Sequence, residues 1–453
     1  MNAPRVFVQS YGCQMNKLDA EIALGVLEEA GYARVSDPAF ADVVLIFTCS
    51  VRAHAEERVY SNAGKLKHLK RRRPDLVIGI MGCMAQREGK AILRRLPHVD
   101  FVCGTFDFPR VATLVEQARQ RRGIVACGTE RLPMPPRRLR TRPSRFQAYV
   151  AVMRGCDNFC SYCIVPYVRG REVSRQPAEV LEEVRRLVDD GVREVTLLGQ
   201  NIDSYGKSFG RPHALADLLY ELGKVAGLDR IRFITSHPRD ISRPILEAMR
   251  DVPAVCEHLH MPAQSGSDRI LALMNRGYTA SRYREVVALA REVVPGIAIA
   301  SDFIVGFPGE SQEDFAMTAA MVREVRFQNC FVFKYSPRPG TRAAELPDDV
   351  PPEEKRRRNL ALLAIQEEVS RRSHLEFIGR VVEVLVEGRS RRDPRRLSGR
   401  TRSNHIVVFE GETGSEACLV PVRIVSATPL TLVGERVLPG DEAPGGTPQV
   451  ASR

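Results

Sequence analysis

The chain has 453 residues, enough for two to four domains, and carries 67 Lys and Arg against 55 Asp and Glu, a formal net charge of +12. That balance points to an acidic partner, nucleic acid first. No apolar run reaches membrane-spanning length, no leader-like segment precedes the first strand-like stretch, and eleven cysteines read better as thiols or metal ligands than as disulfides, so a cytoplasmic protein with no membrane association is expected.

Residues 3–120 alternate short apolar runs with helical patterns. Strands are expected at 6–9, 43–47, 77–81 and 101–102, and helices at 17–30, 53–72, 87–96 and 109–120. Such alternation implies a doubly wound parallel sheet, in which ligands lie beyond the carboxyl ends of the strands. Cys13, Cys49 and Cys83 follow the first three strands, and glycine directly precedes Cys13 and Cys83, allowing close backbone approach to a bulky group. Taken singly, each reads as a small buried core residue; together they form a three-thiolate set, and spacing alone leaves both readings open. Cys103 follows the fourth strand in the same manner.

Residues 121–141 turn rich in proline and arginine, and read as a basic linker able to touch a phosphate backbone. The region 142–372 gives six candidate strands at 148–153, 194–198, 231–235, 257–260, 298–305 and 330–335, with helical patterns between them. Six βα units fall short of the eight that close a barrel, so an open, partial (β/α)6 barrel is expected. Each strand runs into a polar or glycine-bearing turn, and six such turns on the carboxyl face describe a pocket.

The loop after the first of these strands is Arg154-Gly155-Cys156-Asp157-Asn158-Phe159-Cys160-Ser161-Tyr162-Cys163. Its C-x3-C-x2-C spacing can hold three corners of a cubane iron–sulfur cluster, which ordinarily takes four cysteines, leaving one iron open. Zinc sites prefer C-x2-C pairs or added histidines, and no second pair lies nearby.

A helical stretch at 353–375 leads to short strands at 381–387, 405–409 and 419–424, the pattern of a small β-barrel within 375–437. Between Arg371 and Arg402 there are ten arginines against four acidic residues, which on a β-barrel module favours phosphate contact over a merely solvated surface. Residues 438–453 read as a disordered tail.

Cys156, Cys160, Tyr162 and Cys163 resemble the cluster motif of the radical S-adenosylmethionine (SAM) superfamily. Within it the chain is similar to the methylthiotransferases of the tRNA-modifying MiaB type. The likeness is carried by residues 11–16, 164–172, Leu198-Gly199-Gln200-Asn201 with Ser204-Tyr205-Gly206, and 302–310, and the terminal segment resembles the RNA-binding TRAM domain.

The resemblance implies two [4Fe-4S] clusters and SAM as cofactors. Cys156, Cys160 and Cys163 would hold the SAM-cleaving cluster, and Cys13, Cys49 and Cys83 an auxiliary one. Gln200, Asn201, Gln264, Ser265 and Asp302 would line the SAM pocket. The implied reaction adds a methylthio group to C2 of N6-(dimethylallyl)adenosine at position 37 of tRNA, within the anticodon stem-loop. A flavodoxin or ferredoxin would be the electron donor, and the chain is expected to be a monomer. The enzyme alternatives are sister methylthiotransferases acting on threonylcarbamoyl-adenosine in tRNA or on a ribosomal-protein aspartate; the Gln14-Met15-Asn16 run argues against both, by likeness. The non-enzyme alternative is an RNA-binding iron–sulfur redox sensor. No acid–base pair stands out, and His237 and His258 read as structural. The two outer domains are expected to face the cluster loop.

Overall fold

The computed structural model describes residues 3–50, 53–130, 142–211, 213–412 and 414–438. The basic linker and the terminal tail fall mostly on 131–141 and 439–453, outside the described residues.

The N-terminal domain is a six-stranded parallel sheet. Its strands Val43–Thr48 and Val77–Gly82 are buried at every position, which is why they read as continuous apolar runs rather than alternating ones. Two strands escaped the sequence reading. Ala33–Arg34 is too short and exposed to leave a pattern, and Ile124–Ala126 lies inside the stretch expected as linker. The helix expected at 87–96 is two helices, Cys83–Glu88 and Lys90–Arg95, because Gly89 at φ +47° breaks it. Cys83 is therefore the first residue of a helix.

The central domain has all six expected strands, in sequential order and parallel. They form two three-stranded sheets, Gln147–Ala151, Glu194–Leu198 and Arg230–Phe233, then His258–His260, Ala298–Val305 and Asn329–Lys334. Backbone bonds from Ile231 N to Ala254 O and from Ser236 N to His260 O join the sheets into one open barrel. The surrounding helices start at recognisable signals: Pro177 opens Pro177–Asp189, Thr279 caps Ala280–Val293, and Ser311 with Asp314 forms a capping box on Gln312–Val325.

The N-terminal domain packs onto the first barrel strand. Its helix Gln14–Glu29 shares an apolar core with the barrel residues Tyr149, Ala151, Leu198 and Ile234.

The 24-residue helix Pro352–Leu375 leads to a closed five-stranded barrel. Its strands Arg396–Thr401 and Leu432–Arg436 were not foreseen; in the first, arginine and serine alternate with the inward-facing Leu397, Gly399 and Thr401. This barrel does not face the cluster loop, contrary to expectation. It docks on the amino-terminal ends of the central strands. There Arg230, with no exposed surface, donates to Arg400 O at 2.7 Å and to Glu383 Oε1 at 2.8 Å, Arg232 donates to the carbonyls of Thr401 and Arg402, and Arg402 pairs with Glu257. Arginines of the small barrel are thus divided between docking and solvent. His258 sits in this interface beside Asn404, and burial drives its imidazole to the neutral form.

Candidate active site

The strand order of the N-terminal sheet places Arg5–Ser10 between Ala33–Arg34 and Val43–Thr48. The connections run opposite ways from it, so the carboxyl ends of Arg5–Ser10 and Val43–Thr48 flank a topological switch point, where such sheets bind ligands. Cys13 and Cys49 lie there, and Cys83 follows the adjacent strand. Gly12, at φ +118°, lets the chain pass against Cys49: an added Cβ would stand 2.2 Å from Cys49 Cβ and 2.9 Å from its sulfur. Gly82, at φ +100°, is pressed on Thr48 O in the same way. The Cys49 thiol donates to Cys13, which also stands at the amino end of the helix Gln14–Glu29. That bond, with the nearby Arg169 guanidinium and against the cost of burial, lowers Cys13 to about 6, whereas burial pushes Cys83 up. Cys103 takes no part; its thiol donates to Gly104 O inside the apolar core.

The second trio lies on the loop after the first barrel strand. Gly155, at φ +81°, fits under the carbonyls of Gly170 and Arg171, 2.4 and 2.1 Å from where a Cβ would be. Its N–H donates to Gln200 Oε1 at 2.6 Å, Cys156 N donates to Gly170 O, and Ser161 is tied to Leu273 O and Met274 O. Burial pushes Cys156 up to about 11 and Cys163 to about 12. Thiolates so buried need positive charge beside them.

Both trios have it. Arg276 Nη1 donates to Cys160 Sγ at 3.3 Å. Arg169 comes from the barrel loops to the first trio, where its charge acts on Cys83 and Cys13, and Arg338 acts likewise on Cys49. No three His, Cys, Asp or Glu side chains among the described residues stand as close as the ligands of a single metal ion do. A cubane cluster, by contrast, spreads its cysteines over separate corners. Two all-sulfur donor sets with cationic neighbours fit anionic iron–sulfur clusters.

The residues expected in the SAM pocket divide. Gln200 holds the cluster loop through Gly155. Asn201 donates to Asp240 and leaves its buried Oδ1 without a hydrogen-bond partner among the described residues, as Gln264 does with Oε1. Gln264, at φ +70°, is joined by backbone bonds to Asp302 and Ile304, and Asp302 meets His260 Nε2 at 3.2 Å. Ser265 turns away, to Thr318 of the outer helix. The reading missed Asp203, which burial pushes up to about 7 while it accepts from Ser236 Oγ and His237 N. It also missed Arg154, Arg169 and Arg276. Burial lowers His237 to about 2, and its Nε2 has no partner among the described residues. Asp203, Arg154, Arg169 and Arg276 are each defined by a partner 33 or more residues along the chain.

Residues 5–104 match the uncharacterized protein family UPF0004, residues 150–322 the radical SAM superfamily and residues 376–437 the TRAM domain. The tRNA-2-methylthio-N(6)-dimethylallyladenosine synthase of Syntrophotalea carbinolica is 45% identical over 437 residues, covering 95% of this chain and 99% of that one. The synthase of the same name from Syntrophobacter fumaroxidans is 46% identical over 446 residues, covering 97% and 98%. The chain belongs to the tRNA-2-methylthio-N(6)-dimethylallyladenosine synthase family. Among solved structures, a radical SAM methyltransferase from Kitasatospora setae with cobalamin and a [4Fe-4S] cluster bound superposes with a TM-score of 0.56 at 15% identity, covering 76% of this chain and 77% of that one. That likeness concerns the fold. For a family of this name, two cysteine trios brought together by one buried arginine network are the feature to explain. No helix among the described residues is long and apolar enough to cross a membrane.

Proposed function

We propose that the chain adds a methylthio group to C2 of N6-(dimethylallyl)adenosine at position 37 of tRNA, using two [4Fe-4S] clusters held by Cys13, Cys49 and Cys83 and by Cys156, Cys160 and Cys163. The observation that carries this reading is the near-full-length identity of 45% to a synthase of that name, across all three domains. When bound, the clusters and SAM would supply a 5′-deoxyadenosyl radical able to take the hydrogen atom from an aromatic C–H, and the sulfur and methyl group to place on that carbon.

The protein's own part is to hold and enclose. Gln200 and Ser161 fix the cluster loop, and Arg276, Arg169 and Arg338 offset the charge of the two sulfur sets. The Oδ1 of Asn201 and Oε1 of Gln264, without partners among the described residues, would be acceptors for donor groups of SAM. The helix Gln14–Glu29 covers the side of the barrel at its first strand with an apolar contact that water does not enter.

The last two barrel strands supply the apolar surface that a dimethylallyl group requires. Phe303 and Val305 pack outward against the helices, so Asp302, Ile304, Phe331 and Phe333, paired in register, face the lumen. Phe331 is 45% exposed there and stands edge-on to His260. Exposed arginines at 389, 391, 392 and 395 of the small barrel would contact the RNA backbone, a reading their exposure and charge support.

Nucleoside analysis of tRNA from cells lacking the protein tests the reading. The 2-methylthio form should vanish and N6-(dimethylallyl)adenosine accumulate; unchanged 2-methylthio content would refute it.

A further inference from the structure

Arg276 is buried to 6% exposure, in the turn between the helices Asp268–Leu273 and Ala280–Val293. Its neighbours Asn275 and Gly277 adopt φ of +55° and +67°, and this double left-handed turn aims the side chain inward. Three contacts fix the guanidinium: Nη2 donates to Pro262 O at 3.0 Å, Nε to the Tyr278 hydroxyl at 3.1 Å, and Nη1 to Cys160 Sγ at 3.3 Å. Tyr278 is itself held by donating to Ala263 O at 2.7 Å, and the guanidinium carbon lies 5.2 Å from its ring centroid.

Arg276 forms no ion pair with a carboxylate among the described residues. The buried arginines elsewhere do: Arg169 has Asp19, Arg232 has Glu194, Arg358 has Glu310. A buried guanidinium without a counter-ion is costly, so its position implies an anion beside it. Two of its three contacts are neutral oxygens. The third is a cysteine sulfur of the barrel trio.

We infer that Arg276 sets the reduction potential of the cluster held by Cys156, Cys160 and Cys163, through a charge-assisted N–H···S bond to Cys160. The inference rests on those cysteines being cluster ligands. Hydrogen bonds to cluster sulfurs and local charge are the levers by which a protein moves such potentials. The added electron makes the cluster more negative, and a fixed cation at 3.3 Å stabilises that state more than the oxidised one. Arg276 therefore eases the one-electron reduction that precedes SAM cleavage. It acts through Cys160 and does not touch the substrate.

The test is an EPR-monitored redox titration of full-length protein without SAM, in a Cys13→Ala, Cys49→Ala, Cys83→Ala background so that one cluster is observed. At a fixed ambient potential, Arg276→Met should lower the reduced-to-oxidised ratio about tenfold, a downward shift of about 59 mV for one electron. Arg276→Lys, which keeps the charge, should recover at least half of that shift. Should Arg276→Met lose its iron, full iron and a near-parental potential in Arg276→Lys still support the proposal. An unchanged potential in loaded Arg276→Met, or loss of iron from both variants, overturns it. A Cys156→Ala, Cys160→Ala, Cys163→Ala protein separates the two readings. Full iron there refutes the ligand assignment itself; halved iron with an unmoved Arg276→Met potential refutes only the role of Arg276.

Discussion

Asp19, in the first helix, accepts from Arg154 Nη2 at 2.8 Å, although 135 residues separate them and Arg154 stands two positions before Cys156. The other carboxylate oxygen accepts from Arg169 at 2.8 Å, and Arg169 also donates to Asn16 Oδ1, which in turn accepts from Cys83. One buried carboxylate thus ties the loop of one cysteine trio to the surroundings of the other.

Asp19→Ala would remove the carboxylate shared by the buried Arg169 and the partly buried Arg154, at a cost of about 3–5 kcal/mol. Urea unfolding of the apo-protein should show it. The pH dependence has a definite sign. Asp19 is held below its ordinary value by Arg154 and Arg169 against the cost of burial. Its contribution is complete above the unfolded value of about 3.9 and is lost as pH falls through the folded one. The gap between wild type and Asp19→Ala should be constant from pH 7 to 5 and shrink on acidification below about pH 4.

Gln200→Ala removes the acceptor for Gly155 N–H. An unsatisfied buried donor costs about 1–3 kcal/mol. Iron bound by the barrel trio should become labile to chelator while the N-terminal trio keeps its own, giving about half the wild-type iron after chelation. Equal retention in both proteins would show that the loop needs no such anchor.

Much of the fold was legible because burial on both faces writes itself as unbroken apolar runs, as in Val43–Thr48 and Val77–Gly82. Arg396–Thr401 was not, since its outward arginines and serine dominate its composition. Cys156, Cys160 and Cys163 were grouped by short-range spacing, whereas Cys13, Cys49 and Cys83 were grouped only by their places after successive strands and by the resemblance. Arg169, Arg276 and Asp19 were not, because their meaning is a contact across more than a hundred residues. Ser265 shows the converse: a polar turn residue beside the pocket whose hydroxyl is taken up by Thr318.

Phe331→Ala should weaken use of prenylated tRNA and leave SAM cleavage without tRNA intact. Loss of the contact its exposed ring would make with the prenyl group, about 1.5–3 kcal/mol, corresponds to roughly 10- to 150-fold in kcat/KM. A parallel fall in uncoupled 5′-deoxyadenosine formation would instead place Phe331 at the SAM site.

Replacing Arg391, Arg392 and Arg395 together with Ala should weaken tRNA binding without regard to the base at position 37. Each lost phosphate contact should reduce the slope of log affinity against log salt by about 0.7–0.9. An unchanged slope would exclude these arginines, which are exposed on the small barrel, from the RNA interface.

The most direct measurement is anaerobic turnover of prenylated tRNA with SAM and a reductant, scored for 5′-deoxyadenosine and for methylthio product in the same reaction. Wild type should form both. The Cys13→Ala, Cys49→Ala, Cys83→Ala protein should cleave SAM yet give no methylthio product, and the Cys156→Ala, Cys160→Ala, Cys163→Ala protein should give neither. Methylthio product from the protein lacking the first trio would contradict the account.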